Sequence, residues 1–218
     1  LVGLINLVFT VLAILFIDKL GRKPLLIFGV AGIALSMFVL SYGFKSATYS
    51  LTSESIEMLE DAGVKEQLAP MIGSTFTSDV DYKRALESTL GITTAKEQES
   101  ALLTAAISMN PGLILFGILG FVASFAISIG PVMWVLFSEL FPNRIRGLAI
   151  SFVGLINSAV SFLIQLIFPW ELNTLGSATT FLIYGLFAVA GFLFILRYVP
   201  ETKGKTLEEV GFIHGSFA

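Results

Sequence analysis

Apolar residues in this chain come in long runs. Residues 1–17, 25–44, 112–138, 147–169 and 176–198 are almost unbroken Leu, Ile, Val, Phe, Ala and Gly. At 1.5 Å of rise per residue, about twenty residues cross the roughly 30 Å hydrocarbon layer of a bilayer. The first run is marginal by that measure and the other four suffice, so five transmembrane helices are predicted. Between the second and third lies a polar insert, 45–110, too long for an ordinary connection. Within it, 55–68 sets Ile56, Leu59, Gly63 and Leu68 near one side, and 80–90 sets Tyr82, Leu86 and Leu90 at helical spacing. Residues 94–110 predict a third short helix, leading to Pro111 at the start of the next crossing. A small cap is one outcome for this insert. A loosely ordered loop is the one its acidic composition favours.

The third run is interrupted. Residues 130–147 read GPVMWVLFSELFPNRIRG, in which Gly130-Pro131 breaks an otherwise continuous helix pattern. Proline lacks an N–H and frees a carbonyl, which lipid tolerates only where protein or a cavity covers it. This helix is therefore expected to line something.

Composition agrees with a membrane protein. The chain has 218 residues, 55% hydrophobic and 13% charged, against about 25% charged in soluble domains. Its mean hydropathy is +0.87. With no Cys there is no disulfide, thiolate nucleophile or Cys metal site, and the single His214 lies in the tail. No metal-ligand set or nucleophile–base pair is readable, which argues against an enzyme. The chain opens directly in LVGLINLVFTVLAILFI, without a basic flank, and reads as a piece of a longer protein.

Charge also gives an orientation. Eight of the thirteen basic residues fall in three places: the turn 18–23, the turn 143–147 and the tail from Arg197 onward. The positive-inside rule puts all three on the cytoplasmic side. The insert, with ten of the sixteen acidic residues, and the short connection 170–175 then fall outside, as five alternating crossings require.

Candidate chemistry sits at mid-run. Phe125 lies near the centre of its run, and Trp134 lies nine residues, about 13 Å, further on. An indole offers an apolar face and one N–H donor, suiting a pyranose, an interfacial belt or packing among the twenty Phe. Asn157 is at the midpoint of 147–169, and Asn6 stands about 18 Å from the basic turn. Amides at such depth need partners from protein or cavity. Each suits either a ligand or an interhelical hydrogen bond. Gln165 fits packing or access lining, and Ser124 and Ser128 fit hydrogen bonds back to helix carbonyls. Asp18, Arg22 and Lys23 form one charged cluster at a helix end, and Glu139, Arg144 and Arg146 form another.

Four motifs, each at the cytoplasmic end of a predicted crossing, carry a resemblance: DKLGRK at 18–23, GPVMW with SELFP at 130–142, RIRG at 144–147 and PETKG at 200–204. Together they resemble the C-terminal half of a sugar porter of the major facilitator superfamily, most of all the bacterial proton-linked pentose and hexose symporters. The resemblance implies an all-α membrane bundle, helices eight to twelve of twelve, with 1–44, 111–198 and a cytoplasmic tail 199–218 as its parts. It implies alternating-access transport of a xylose-, glucose- or galactose-type monosaccharide in the bacterial inner membrane. No cofactor or nucleic acid partner is implied, and the proton is the expected coupling ion.

Trp134, Asn157, Asn6 and Phe125 match substrate-contacting positions of the family, and the two charged clusters match residues that pair when the cavity opens outward. Glu139 with Arg22 or Arg146 is the expected gate. The family commonly has Trp after the Asn157 position, where this chain has Ser158. No ionisable residue lies inside a crossing, so a proton-coupling acid would belong to the N-terminal half, outside this chain with the seventh helix. A facilitative uniporter, an inositol or polyol carrier and a non-transporting sugar sensor are the alternatives.

Overall fold

The computed structural model describes residues 1–57 and 62–204. Leu59, Lys205 and His214 lie outside the described residues. In chain order the elements are α1 (Val2–Leu20), α2 (Arg22–Lys45), β1 (Thr48–Ser50), α3 (Ser53–Glu57), α4 (Ala62–Leu68), β2 (Thr75–Phe76), α5 (Asp79–Leu90), α6 (Ile92–Glu97), α7 (Glu99–Ala106), β3 (Ile107–Ser108), α8 (Pro111–Ile127), α9 (Ile129–Leu140), α10 (Arg146–Thr174) and α11 (Ser177–Tyr198). Counting α8 and α9 as one interrupted span, five helices among the described residues are long and apolar enough to cross a membrane.

The chain divides into two compact units. The first comprises Leu1–Phe38, Leu115–Phe168 and the chain from Leu182 onward. Small residues line a close helix approach in this unit. Gly29, Gly32 and Ser36 share one face of α2, and Gly120, Ser124 and Ser128 share one face of the opposing segment. A Cβ on Gly29 would overlap the Ser128 side chain, one on Gly32 would overlap Ser124, and one on Gly120 would lie 2.8 Å from Ser36 Oγ. Backbones meet here because almost nothing stands between them, as in small-residue packing of membrane helices. Nearer the basic turn, Ile17, Leu25, Leu26, Val132 and Leu136 form a buried apolar cluster.

The interruption of the third span falls at Ser128, just ahead of the Gly130-Pro131 pair. Pro131 cannot donate, and its ring conflicts with the carbonyl of residue 127, so α8 stops at Ile127. Ser128 departs from helical geometry with φ −126° and ψ −95°, and α9 restarts at Ile129 with the proline in its first turn. The Ser128 hydroxyl donates to the Ser124 carbonyl at 2.6 Å, the back-bonding expected for a helix serine.

The second unit, Val39–Ile114 with Pro169–Phe181, contains the insert. The insert is packed, which corrects the expectation of a loosely ordered loop. A short antiparallel sheet runs β2-β1-β3, pairing Tyr49 with Phe76 and with Ile107. Helices α3 to α7 cover a core of Tyr49, Leu51, Ile56, Val64, Leu68, Tyr82, Leu86, Leu90 and Leu102 among others. Tyr82, Leu86 and Leu90 are buried on α5, as their spacing predicts. The Tyr82 hydroxyl donates to the Leu102 carbonyl at 3.1 Å, and its ring stacks on Tyr49 with centroids 5.7 Å apart. The single helix predicted over 94–110 is instead α6, α7 and β3, divided at Gln98. The connection read at 170–175 is also shorter than expected. Helix α10 continues through Pro169 to Thr174, leaving a turn at Leu175-Gly176 in which Gly176 has φ +81°.

Candidate functional site

The charged site is built from four helix ends of the first unit. Gly21 ends α1 with φ +97°, a conformation suited to glycine, and α2 begins at once. A Cβ at Gly21 would lie 2.6 Å from Glu201 Oε2, so the missing side chain also makes room for this carboxylate. Glu201 accepts hydrogen bonds from the backbone N–H groups of Arg22 (3.0 Å) and Lys23 (3.2 Å). These are free donors at a helix start, where a negative charge is favoured. The DKLGRK and PETKG motifs are thus two halves of one cap.

Arg22 is the hub. Its side chain is only 13% exposed, and its Nη2 meets Glu139 Oε1 at 2.6 Å. Its Nε lies 3.1 Å from both Glu139 oxygens, which makes a forked, charge-assisted contact. Its Nη1 binds Asp18 Oδ1 at 3.0 Å and donates to the Ile17 carbonyl at 3.2 Å. Glu139 also accepts from the buried Thr202 hydroxyl at 2.6 Å. Two lysines finish helix ends: Lys23 Nζ donates to the Leu196 carbonyl at 3.0 Å, and Lys203 Nζ to the Lys19 carbonyl at 2.6 Å. Cations suit these C-terminal carbonyls.

Arg22 therefore joins the first charged cluster read from the sequence to Glu139 of the second, while Arg144 and Arg146 stand outside this network. Arg146 turns its Nε to the Phe141 carbonyl at 3.3 Å. Arg144 is exposed and pairs with no carboxylate among the described residues. Glu201 and Thr202 belong to the site as well. The quoted PETKG motif was the signal that pointed to them.

The candidate substrate residues lie elsewhere in the same unit, on uncovered helix faces. On α9, Val132 and Leu136 are buried while Trp134 is 45% exposed. The indole meets Phe137 edge-on at 6.2 Å, and a Cβ on Gly154 of α10 would lie 3.9 Å from it. Phe125 is 41% exposed and stacks against Phe121, and a Cβ on Gly130 would lie 3.4 Å from its ring. Asn6 is exposed and accepts from Thr10 Oγ1 at 3.3 Å. Asn157 and Gln165 are exposed on α10, a helix with no buried residue. Among the described residues, no group of three or more acidic or histidine side chains could hold a metal ion.

Long apolar helices tied at one end by a salt-bridge network, with amides and an indole left on uncovered faces, are those of a polytopic membrane protein. The family model "Sugar (and other) transporter" matches residues 1–60 and 89–213, and the chain belongs to that family. The chain is 33% identical over 217 residues to the D-xylose-proton symporter of Escherichia coli K12, covering 96% of this chain and 32% of that protein. It is 27% identical over 209 residues to the facilitated glucose transporter member 10 of solute carrier family 2 from Danio rerio, covering 95% and 38%. The inward-open conformation of the xylose transporter XylE from E. coli superposes with a TM-score of 0.62 at 32% identity, covering 97% of this chain and 34% of that one. The chain thus spans about a third of the length of the relatives it matches. Its five membrane-spanning helices are consistent with the C-terminal bundle of a twelve-helix major facilitator transporter.

Proposed function

We propose that this chain is the C-terminal part of a monosaccharide transporter of the bacterial inner membrane, working by alternating access and coupled to protons. The substrate is of the xylose, glucose or galactose type. Residues 1–44 and 111–198 form the bundle, the insert 45–110 faces outward, and the basic turns and the tail from 199 face the cytoplasm. The observation that carries this reading is the set Trp134, Asn157, Asn6 and Phe125, polar or aromatic groups within the apolar spans on faces this chain leaves open. An N-terminal bundle closing over those faces would form a cavity where the indole covers the C–H face of a sugar and the amides bond its hydroxyls.

Glu139, Arg22 and Asp18, with Lys23, Arg144 and Arg146 at the same helix ends, form the cytoplasmic gate. The network holds one state, and its opening admits the other; transport needs only a difference in stability between the two. The relatives named as proton symporters support coupling. The relative named as a facilitated transporter supports the second reading, a uniporter.

The test is uptake of labelled xylose, glucose, galactose and inositol into liposomes bearing the full-length parent protein, with and without a proton gradient. Gradient-driven accumulation of one sugar, abolished by Trp134→Ala, is the expected result. Saturable exchange without accumulation would select the uniporter. Absence of flux for every sugar would overturn the proposal.

A further inference from the structure

The insert holds a set of contacts that the gate and the substrate faces leave unused. Residues 61–88 lie outside the family match, and this stretch contains most of α5. Asp79 and Lys83 are one helical turn apart on α5 and so share a face. Asp79 Oδ2 accepts from both the backbone N–H of Ser177 (2.9 Å) and its hydroxyl (2.7 Å), capping the start of α11 from outside that helix. The turn is fitted to this carboxylate. Gly176 has φ +81°, and a Cβ there would lie 2.7 Å from Asp79 Oδ1 and 3.1 Å from Val80 Cγ2.

Lys83 binds the other side of the same turn. Its Nζ lies 3.0 Å from Asn173 Oδ1 near the end of α10 and 2.7 Å from Glu99 Oε1 on α7. The end of α2 joins from a third direction: Ser41 Oγ donates to the Ala178 carbonyl at 2.7 Å, and Phe44 stacks on Phe181 with centroids 5.4 Å apart. A turn held through both flanking helices cannot move apart from α5 without breaking charge-assisted hydrogen bonds, part-buried at Asp79 and exposed at Lys83.

We propose that Asp79 and Lys83 are positioning residues. They fasten the α10–α11 turn to the insert, so that the insert and the outer ends of α2, α10 and α11 move as one body during transport. This rests on the transport reading for its consequence: loosening the fastening changes the rate of state exchange and leaves sugar contact alone. The insert is then a working part of the carrier, with its own residues setting turnover.

The experiment uses the full-length parent protein, Asp79→Ala, Lys83→Met, Ser177→Ala and the Asp79→Ala/Ser177→Ala double variant, each checked for membrane insertion. Amide hydrogen exchange is read across Leu175–Ser177, and sugar uptake is read as Vmax and KM. Expected are faster exchange at the turn and a Vmax lowered about threefold or more with KM held within about twofold. Ser177→Ala is expected to add little on top of Asp79→Ala, since the two remove the same contact. Unchanged exchange at the turn in Asp79→Ala and Lys83→Met would overturn the fastening, and a raised KM with unchanged Vmax would overturn the positioning role. A parent that takes up no sugar overturns the transport reading, while the exchange comparison still decides the fastening by itself.

Discussion

Arg22, which opens the second helix, closes its guanidinium on Glu139 at the end of the ninth, 117 residues along the chain, with Nη2 and Oε1 2.6 Å apart. Arg22 is mostly withdrawn from water, and Asp18 and Thr202 complete the set on either side. Removing Glu139 therefore leaves a cation short of its main partner, a costlier change than loss of a surface pair.

For Glu139→Gln, the amide oxygen still accepts from Arg22, but the amide nitrogen cannot accept from Arg22 Nε or from the Thr202 hydroxyl, so the fork is lost with the charge. The state with this network closed is expected to weaken by about 1.5 to 3 kcal/mol, the range for hydrogen bonds to charged groups. Cytoplasmic labelling of cavity residues should rise with sugar KM little changed. Equal labelling in parent and variant would remove the gate role.

Asn157→Ala removes an exposed amide that binds nothing else described in this chain. Stability should stay near the parent value. KM should rise about tenfold, the equivalent of one hydrogen bond of about 1.4 kcal/mol. A fall in thermal stability with unchanged KM would reassign Asn157 to helix packing.

Gly21→Ala puts a Cβ both at φ +97° and against the Glu201 carboxylate. The backbone cost alone is about 1 to 2 kcal/mol, and displacement of Glu201 uncaps the second helix. A lower melting temperature in detergent is expected, and a wild-type one would contradict this geometry.

Gly29→Val drives a branched side chain into Ser128, where even a Cβ would overlap. Overpacking of this kind costs about 1 to 3 kcal/mol or more. Poor recovery of monodisperse protein is expected, while Gly3→Ala, where a Cβ meets nothing, should behave as the parent.

Burial and, after it, the Asp79 carboxylate push the Tyr49 phenol up to about 12 from the ordinary 10.0, and burial raises Tyr82 as well. Both are neutral below about pH 10 whether folded or not, so their contribution to stability is fully present there. Above it the unfolded phenols ionise first, and folding of the insert weakens as pH rises toward and through the folded values. Difference absorbance between parent and Tyr49→Phe should show a phenolate step near pH 12. A step at 10 would mean that Tyr49 is exposed.

The sequence by itself determined the five spans, because helix length and the width of a bilayer are fixed quantities and apolar runs report them directly. It also announced the break at Gly130-Pro131, since a proline's lost donor acts within one turn, although steric conflict one turn back moved the break to Ser128. What only the tertiary structure decided is which distant groups meet. Arg22 and Glu139 sit in separate motifs, and nothing local says that Glu139 takes Arg22 while Arg146 turns to the Phe141 carbonyl. The insert shows the same limit. Its strands are two or three residues long, too short for alternation to show, and its core gathers Tyr49, Tyr82 and Leu102 from across the segment. Burial there is set by contacts far apart in the chain, which composition averages away and only the fold brings together.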